Sequence, residues 1–428
     1  MTDTVRRLSC LTASLLAVLA GSASAHPFLP APVGAAPVPY APTEPDGDAS
    51  EGIATTPPNS AVEAAFPERS YAPGETAVLH LLGSGHGLQL RLYRAGAGHD
   101  GPLEGTPVDA PTALTGPASA VPVTLGSWPS GLYYAQVTTP GRGVWYAPFV
   151  LRAPRLGTHR ILVVLPTNTW QAYNFEDEDS WYLNPDVHRV DLTRPYIDGG
   201  VPPHYHGYDR GFLRWLAVHH ETPDYVSDDD LDHITSPKAL ARAYDLIVFS
   251  GHEEYVTGHE YELIQDYRNL GGNLAFLSAN DFFYKVVKHG DAMNGRWRWR
   301  DVGRPEAALV GAQYVDWNHD RYPNRPFTVT GTAQAAWFFH GTGLHDGTTF
   351  GTYGIEVDAP DKSSPPGTRV LASIHDIFGP GKSAAMTYYT TPRGAKVFSA
   401  GVMNFGGSAL WPVVSIMMEN LWAELSRP

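Results

Sequence analysis

Apolar positions along this chain follow two rhythms. From about residue 61 to 152 they alternate with polar ones in short runs: Thr76-Ala77-Val78-Leu79-His80-Leu81-Leu82, Leu88-Gln89-Leu90-Arg91-Leu92-Tyr93, Gly131-Leu132-Tyr133-Tyr134-Ala135-Gln136-Val137 and Val144-Trp145-Tyr146-Ala147-Pro148-Phe149-Val150-Leu151. A period of two with Pro/Gly turns between runs predicts strands, and strands of this number and spacing predict a small Ig-like β-sandwich. From residue 153 onward the apolar residues come in unbroken runs instead, as in Ile161-Leu162-Val163-Val164-Leu165 and Leu246-Ile247-Val248-Phe249. Such runs suit strands buried on both faces. Helical spacing lies between them, at Phe212-Leu213-Arg214-Trp215-Leu216, around 240–243, from about 258 to 270, and from Pro412 to Leu425. Strands alternating with helices predict an α/β domain over 153–428, with a mostly parallel, flavodoxin-like sheet. Residues 281–380, rich in Gly, Asp and His, read as loops.

The clearest unit spans residues 244–280. Its first apolar run ends at Ser250-Gly251, its helical stretch ends at Gly271-Gly272, and Asn273-Leu274-Ala275-Phe276-Leu277 makes the next strand. This is a βαβ unit, and ligands of open α/β sheets bind at the carboxyl ends of strands. His252, Glu253 and Glu254 follow the first strand directly and are the first functional candidates. The strand ending at Leu165 leads likewise into Trp170-Gln171-Ala172-Tyr173-Asn174. Tyr173 and Asn174 therefore reach the same crevice if the two strands are neighbours.

Composition narrows the compartment and the partners. The net charge of −14 argues against nucleic acid or an anionic membrane. Arg6-Arg7, the apolar run from Leu8 to Ala20 and Ser22-Ala23-Ser24-Ala25 have the layout of a leader cleaved near Ala25, which predicts a secreted or periplasmic protein. No other segment approaches a membrane span. Residues 26–60, rich in Pro and Ala, read as a linker. The sole cysteine, Cys10, lies inside the leader, which excludes disulfides, thiolate zinc sites and a cysteine nucleophile after cleavage.

Several chemistries are absent or weakly signalled. There is no G-x-S-x-G elbow, no P-loop and no dinucleotide-binding glycine fingerprint. Ser250 occupies a strand-end position suited to a nucleophile. His204-Tyr205-His206, His219-His220 and the pair His252/His259 offer imidazoles, yet with 18 His in the chain such clusters arise by chance. The acidic runs Glu176–Asp179 and Asp228–Asp230 lack the glycine-turn spacing of a calcium loop. Trp297 and Trp299 suit stacking on a ligand or packing in the core.

Six motifs in one order carry a resemblance. They are Leu165-Pro166-Thr167-Asn168-Thr169-Trp170-Gln171-Ala172-Tyr173-Asn174, Arg194-Pro195-Tyr196, Phe212-Leu213-Arg214-Trp215-Leu216, Asp228-Asp229-Asp230-Leu231-Asp232, Gly251-His252-Glu253-Glu254-Tyr255, and Gly271-Gly272-Asn273 through Asn280. Together they resemble the catalytic region of the N,N-dimethylformamidase large (beta) subunit. The resemblance implies a flavodoxin-like, class I glutamine amidotransferase-like domain and a mononuclear ferric ion, Fe(3+), held by two tyrosines and a glutamate. Those ligands would be Tyr173, Glu254 and Tyr133, with Tyr134 the alternative on the opposite face of its strand. It implies an acid/base or supporting role for His252 and pocket roles for Asn174 and Asn280. Hard ferric iron favours anionic oxygen ligands, and the implied reaction is hydrolysis of a small or N-substituted amide by metal-activated water.

Two departures qualify the resemblance. Thr390 stands where the family pattern places an acid, and the family's small subunit is not evident in this chain, which leaves self-association open. The rival expectation is a non-catalytic carbohydrate or cell-wall binding protein that retains the fold. Iron content separates the two.

Overall fold

The computed structural model describes residues 53–427 apart from 59, 61, 84, 97, 115–118 and 185. The leader and most of the 26–60 linker expected from sequence lie outside the described residues.

The alternating N-terminal runs form strands β1 (Val62–Ala65), β2 (Thr76–Gly83), β3 (Gln89–Arg94), β4 (Ala120–Thr124), β5 (Gly131–Thr139) and β6 (Gly143–Leu151). β2 sits between β1 and β4, while β5 sits between β3 and β6 in a second sheet. Leu79, Leu81, Leu90, Leu92, Val137 and Trp145 from the two sheets fill one core. β2 shows the cause, because its exposed and buried residues alternate strictly from Thr76 to Leu81.

The second region holds β7 (Ile161–Leu165), α1 (Thr167–Tyr173), α2 (Arg210–Val218), β8 (Asp224–Ser227), α3 (Asp228–His233), β9 (Leu246–Phe249), β10 (Tyr255–Thr257), α4 (Gly258–Asn269) and β11 (Asn273–Phe276). It continues with β12 (Tyr284–His289), β13 (Ala292–Arg298), β14 (Arg325–Val329), β15 (Thr349–Tyr353), β16 (Glu356–Ala359), β17 (Arg369–Ile374), β18 (Ala384–Thr390), β19 (Lys396–Ser399) and α5 (Pro412–Leu425). The main sheet has nine strands in the order β8-β7-β9-β11-β19-β18-β17-β14-β15. The βαβ unit at 244–280 is present, with β9 parallel to β11 in register Leu246↔Asn273.

The flavodoxin-like, amidotransferase-like parallel sheet expected from sequence is overturned. Only β8, β7, β9, β11 and β19 run parallel, and from β18 to β15 every pairing is antiparallel. Strand makes up 34% and helix 20%, so the architecture is β-rich and mixed, without a closed barrel among the described residues. The strands of 281–380 escaped the sequence reading because they are short and broken by glycine turns. β15, for instance, buries Phe350 and Tyr353 but exposes Thr349 and Thr352, which matches neither a period of two nor an unbroken run.

A smaller sheet pairs β13 with β12 and β12 with β10, and β16 pairs antiparallel with Gln313–Trp317. These pieces stand beside the carboxyl ends of β7 and β9 and wall in the crevice described below. α4 is fixed at its start by a capping box: Thr257 Oγ1 accepts from the Glu260 amide at 3.1 Å, and the Glu260 carboxylate accepts from the Thr257 amide. Thr257→Ala is expected to lower unfolding free energy by about 1–2 kcal/mol in urea titration, the usual loss for a removed N-cap.

Candidate functional site

α1 has no cap of its own. Asp228, entering from the end of β8, supplies one: its Oδ2 accepts from the Asn168 amide at 2.6 Å and from Thr167 Oγ1 at 3.0 Å. The helix is buried throughout, so its last turn holds Tyr173 firmly. Across from it, the bend after β9 is pinned on both sides. Thr169 Oγ1 accepts from the amides of Glu254 and Tyr255, and Asp281 accepts from the amide of Glu253 at 3.0 Å.

Three side chains meet there. Tyr173 Oη donates to Glu254 Oε2 at 2.9 Å and lies 3.2 Å from His252 Nε2, which is itself 3.1 Å from Glu254 Oε2. His252 Nδ1 faces the carbonyl of Ala279 at 3.1 Å, so that Nδ1–H is donated to the backbone and Nε2 is left for the cluster. Glu356, at the start of β16, faces the same crevice, and its Oε2 accepts from Asn280 Nδ2 at 2.7 Å. The crevice measures about 520 Å³, and Trp181, Tyr182, Tyr255, Tyr284 and Tyr314 line it above Glu254, Glu356 and Asn280.

The electrostatics are those of a surplus of buried acid. Burial, reinforced by Glu254 and Glu356, raises Tyr173 well above the usual phenol range. Burial pushes Glu356 up to about 7, Asp281 to about 7 and Asp358 to about 8. Burial disfavours the charged form of His252, but its hydrogen bond to Glu254 and the charges of Glu254, Glu356 and Asp281 prevail and lift it to about 9. Both carboxylate oxygens of Glu253, Oδ2 of Asp281 and Oδ2 of Asp358 are buried without a hydrogen-bond partner.

These shifts share one sign. The raised acids hold protons more tightly folded than unfolded, so the stability they contribute is complete below about pH 4 and is lost as pH rises to 7–8. The contribution of His252 is complete below about pH 6.5 and is lost as pH rises through 9. Buried His204, lowered to about 4, opposes them only below about pH 6.5. Metal-free protein is therefore expected to melt at a lower temperature at pH 8.5 than at pH 6.0 by scanning calorimetry.

Tyr173, His252, Glu254 and Asn280 thus come together, and other candidates do not. Tyr133 packs between Trp128 and Phe149 in the sandwich core and donates to the Pro129 carbonyl at 2.7 Å. Tyr134 stacks on Tyr93 and donates to the Asp100 carbonyl at 2.9 Å. β5 is buried on both faces, so neither tyrosine has an open side to offer a shared metal. Asn174 is also withdrawn from the pocket, because its amide is used up by Gln171, Pro195 and Ile197. Ser250 is buried and bonded to the Val164 carbonyl. Thr390 is exposed at the end of β18, paired with Lys396.

Sequence reasoning missed Glu356, which lies within the segment 281–380 that reads as loops. No local signal marks it. The aromatic pair at 297–299 divides: Trp297 is exposed, and Trp299 is buried against Tyr261. Of the histidine clusters, His204 joins His252 at the site, edge-on to Tyr173 with ring centroids 5.7 Å apart. A second cleft of about 410 Å³ lies where β8 and α3 meet the sandwich. Its charges are largely spent on one another, Arg69 on Asp229 and Arg152 on Asp230.

Among the described residues, no group of three or more His, Asp or Glu is placed to hold a metal. The cluster mixes its donors instead, one phenol, one carboxylate and one imidazole. Its 2.9–3.2 Å edges are those of adjacent ligands on a cation with bonds of about 2.0–2.2 Å. The residues fit a small hard cation, although the second tyrosinate of the expected set is missing.

Comparison with known proteins agrees with the motifs. The family model described as N,N-dimethylformamidase beta subunit-like, C-terminal, matches residues 115–411. The N,N-dimethylformamidase beta subunit of Paracoccus aminophilus is 24% identical over 391 residues, which cover 66% of this chain and 50% of the relative. The chain thus spans about half the length of that curated relative. Among solved structures, the mmIFT52 N-terminal domain aligns with 51% of this chain and 90% of its own at TM-score 0.31 and 11% identity. An Escherichia coli alpha-2-macroglobulin activated by porcine elastase aligns with 21% of this chain and 8% of its own at TM-score 0.17 and 15% identity. Likeness at that level bears on neither fold nor function.

Proposed function

This chain belongs to the N,N-dimethylformamidase beta subunit-like family, and from that membership we propose that it hydrolyses an N-substituted amide in the crevice above Tyr173. The observation that carries the reading is the meeting of Tyr173, His252 and Glu254 within 3.2 Å of one another beneath a 520 Å³ opening.

Tyr173 and Glu254 would hold a single ferric ion, with His252 Nε2 beside both. When bound, that ion polarises the amide carbonyl and makes water acidic enough to attack at neutral pH. The remaining work falls to side chains. Glu356, oriented by Asn280 and facing the same crevice, is placed to accept a proton from the attacking water. His252 Nε2, 3.2 Å from Tyr173 Oη and 3.1 Å from Glu254 Oε2, is placed to deliver a proton to the departing nitrogen. The C–N bond breaks, and a carboxylic acid and an amine leave.

The aromatic lining supports a second reading, a carbohydrate-binding protein that keeps the fold, because flat rings suit sugar faces. Metal analysis and a visible spectrum decide between the two. Iron-replete protein is expected to carry one iron per chain and a tyrosinate charge-transfer band. A colourless, iron-free protein that binds an oligosaccharide overturns the hydrolase. Export, proposed from the leader pattern, is checked by sequencing the N-terminus of secreted material, which should begin at or near His26. Association with a second subunit, proposed from the relative's name, is checked by the mass of the native particle.

A further inference from the structure

The crevice suits a larger and more polar molecule than a dialkylformamide. Its 520 Å³ falls in the range of about 300–1,000 Å³ that holds drug-sized ligands, and a small formamide would leave most of it empty. One wall also carries an uncommitted positive charge. Arg296, on β13, is half-buried, with its guanidinium 5.5 Å from the ring of Trp181 and 5.6 Å from that of Tyr284. Its Nη1 donates to the Trp181 carbonyl at 2.7 Å.

The neighbouring arginines are occupied differently. Arg298 holds Asp301 at 2.6 Å, and Arg300 holds Glu306 at 2.6 Å. Among the described residues no carboxylate pairs with Arg296. A guanidinium offers five N–H donors in a planar fork that matches a carboxylate edge, and flanking rings fix its plane. Arg296 lines the same crevice as Glu254 and Glu356.

We propose that Arg296 anchors a substrate carboxylate, and that the amide cleaved is an N-acyl amino acid with an aromatic acyl group. The amide carbonyl then lies over Tyr173 and Glu254, the carboxylate on Arg296, and the acyl ring against Tyr182 and Tyr314. Water supplies a hydroxyl to the carbonyl carbon and, in net terms, a proton to the nitrogen as the C–N bond breaks. The products are an aromatic acid and an amino acid, and no further reactant is needed. This assignment rests on the hydrolase reading for the reaction, but the anchor itself can be tested by binding alone.

The test is titration calorimetry of the full chain with N-benzoylglycine and with its methyl ester. Wild type is expected to bind the acid about tenfold or more tightly than the ester, as for a charge-assisted hydrogen-bonded pair. Arg296→Gln should erase that preference while leaving ester binding in place, and Arg296→Lys should keep part of it. Equal binding of acid and ester by wild type overturns the anchor, as does a preference that survives Arg296→Gln. If Arg296→Gln does not fold, the wild-type comparison and Arg296→Lys still decide. Tyr173→Phe separates the two readings. A preference retained there with wild-type protein unable to cleave the acid sinks the hydrolase and keeps the anchor, whereas cleavage of neutral amides without any preference does the reverse.

Discussion

Tyr173→Phe is expected to lose both the bound metal and the visible band, and to lower amide hydrolysis by about 10³-fold or more, since a Lewis-acid ion contributes several kcal/mol to the barrier. One oxygen is removed and the ring contacts remain, with Tyr182 stacked at 4.7 Å, His204 edge-on at 5.7 Å and Tyr255 at 6.4 Å. The variant should therefore fold. In metal-free protein the loss takes a donor from buried Glu254, which costs about 1–3 kcal/mol for a group left short of hydrogen bonds. Metal content, the spectrum and turnover are measured on one preparation. Wild-type iron and colour in the variant would remove Tyr173 from the ligand set, and with it the reason for placing a metal on Glu254.

How far the sequence leads to this site depends on distance along the chain. Tyr173, His252 and Glu254 were legible because each follows an unbroken apolar run, and β7 pairs directly with β9 in register Leu162↔Ile247. Position at a strand end implies position at the crevice, and no tertiary knowledge is needed. Tyr133 and Asn174 were not legible as structural residues. The choice between Tyr133 and Tyr134 assumed that one face of β5 looked toward the metal, whereas each face packs on its own core. Asn174 has the right position, but its amide is spent on the chain at 195–197. Glu356 is brought in by pairing between Gln313–Trp317 and β16, a contact between segments without readable periodicity. The same loss of pattern hid the antiparallel half of the main sheet, β18 through β15.

Arg194 carries the second large expectation. The sequence reading noted it only as part of a motif, Arg194-Pro195-Tyr196. In the structure its buried guanidinium donates to five backbone carbonyls: Asp191 at 3.0 Å, Glu176, Asp179 at 2.8 Å, Gln171 at 2.9 Å and Asn174 at 3.5 Å. Two of these acceptors flank Tyr173 in the last turn of α1, and two lie in the turn that leads to Trp181 and Tyr182. One side chain thus ties a proposed metal ligand to the aromatic wall above it. Burial holds Arg194 below the usual guanidinium range, while Asp179, Asp177, Asp191 and Glu176 pull it back up, and guanidinium stays charged in proteins. Arg194→Ala leaves several buried carbonyls without a donor, and about 3–5 kcal/mol of stability should go, since each buried group left short costs about 1–3 kcal/mol. Arg194→Lys should recover little, because a point charge with three donors cannot span carbonyls set around a planar fork. Denaturant unfolding measures the first effect, and iron affinity at a temperature where the variant is still folded measures the second. A clamp predicts that both fall together. If Arg194→Ala unfolds at the wild-type midpoint, or loses stability while binding iron as wild type does, the arginine does not position Tyr173 and the site is held by the bend at 252–254 alone.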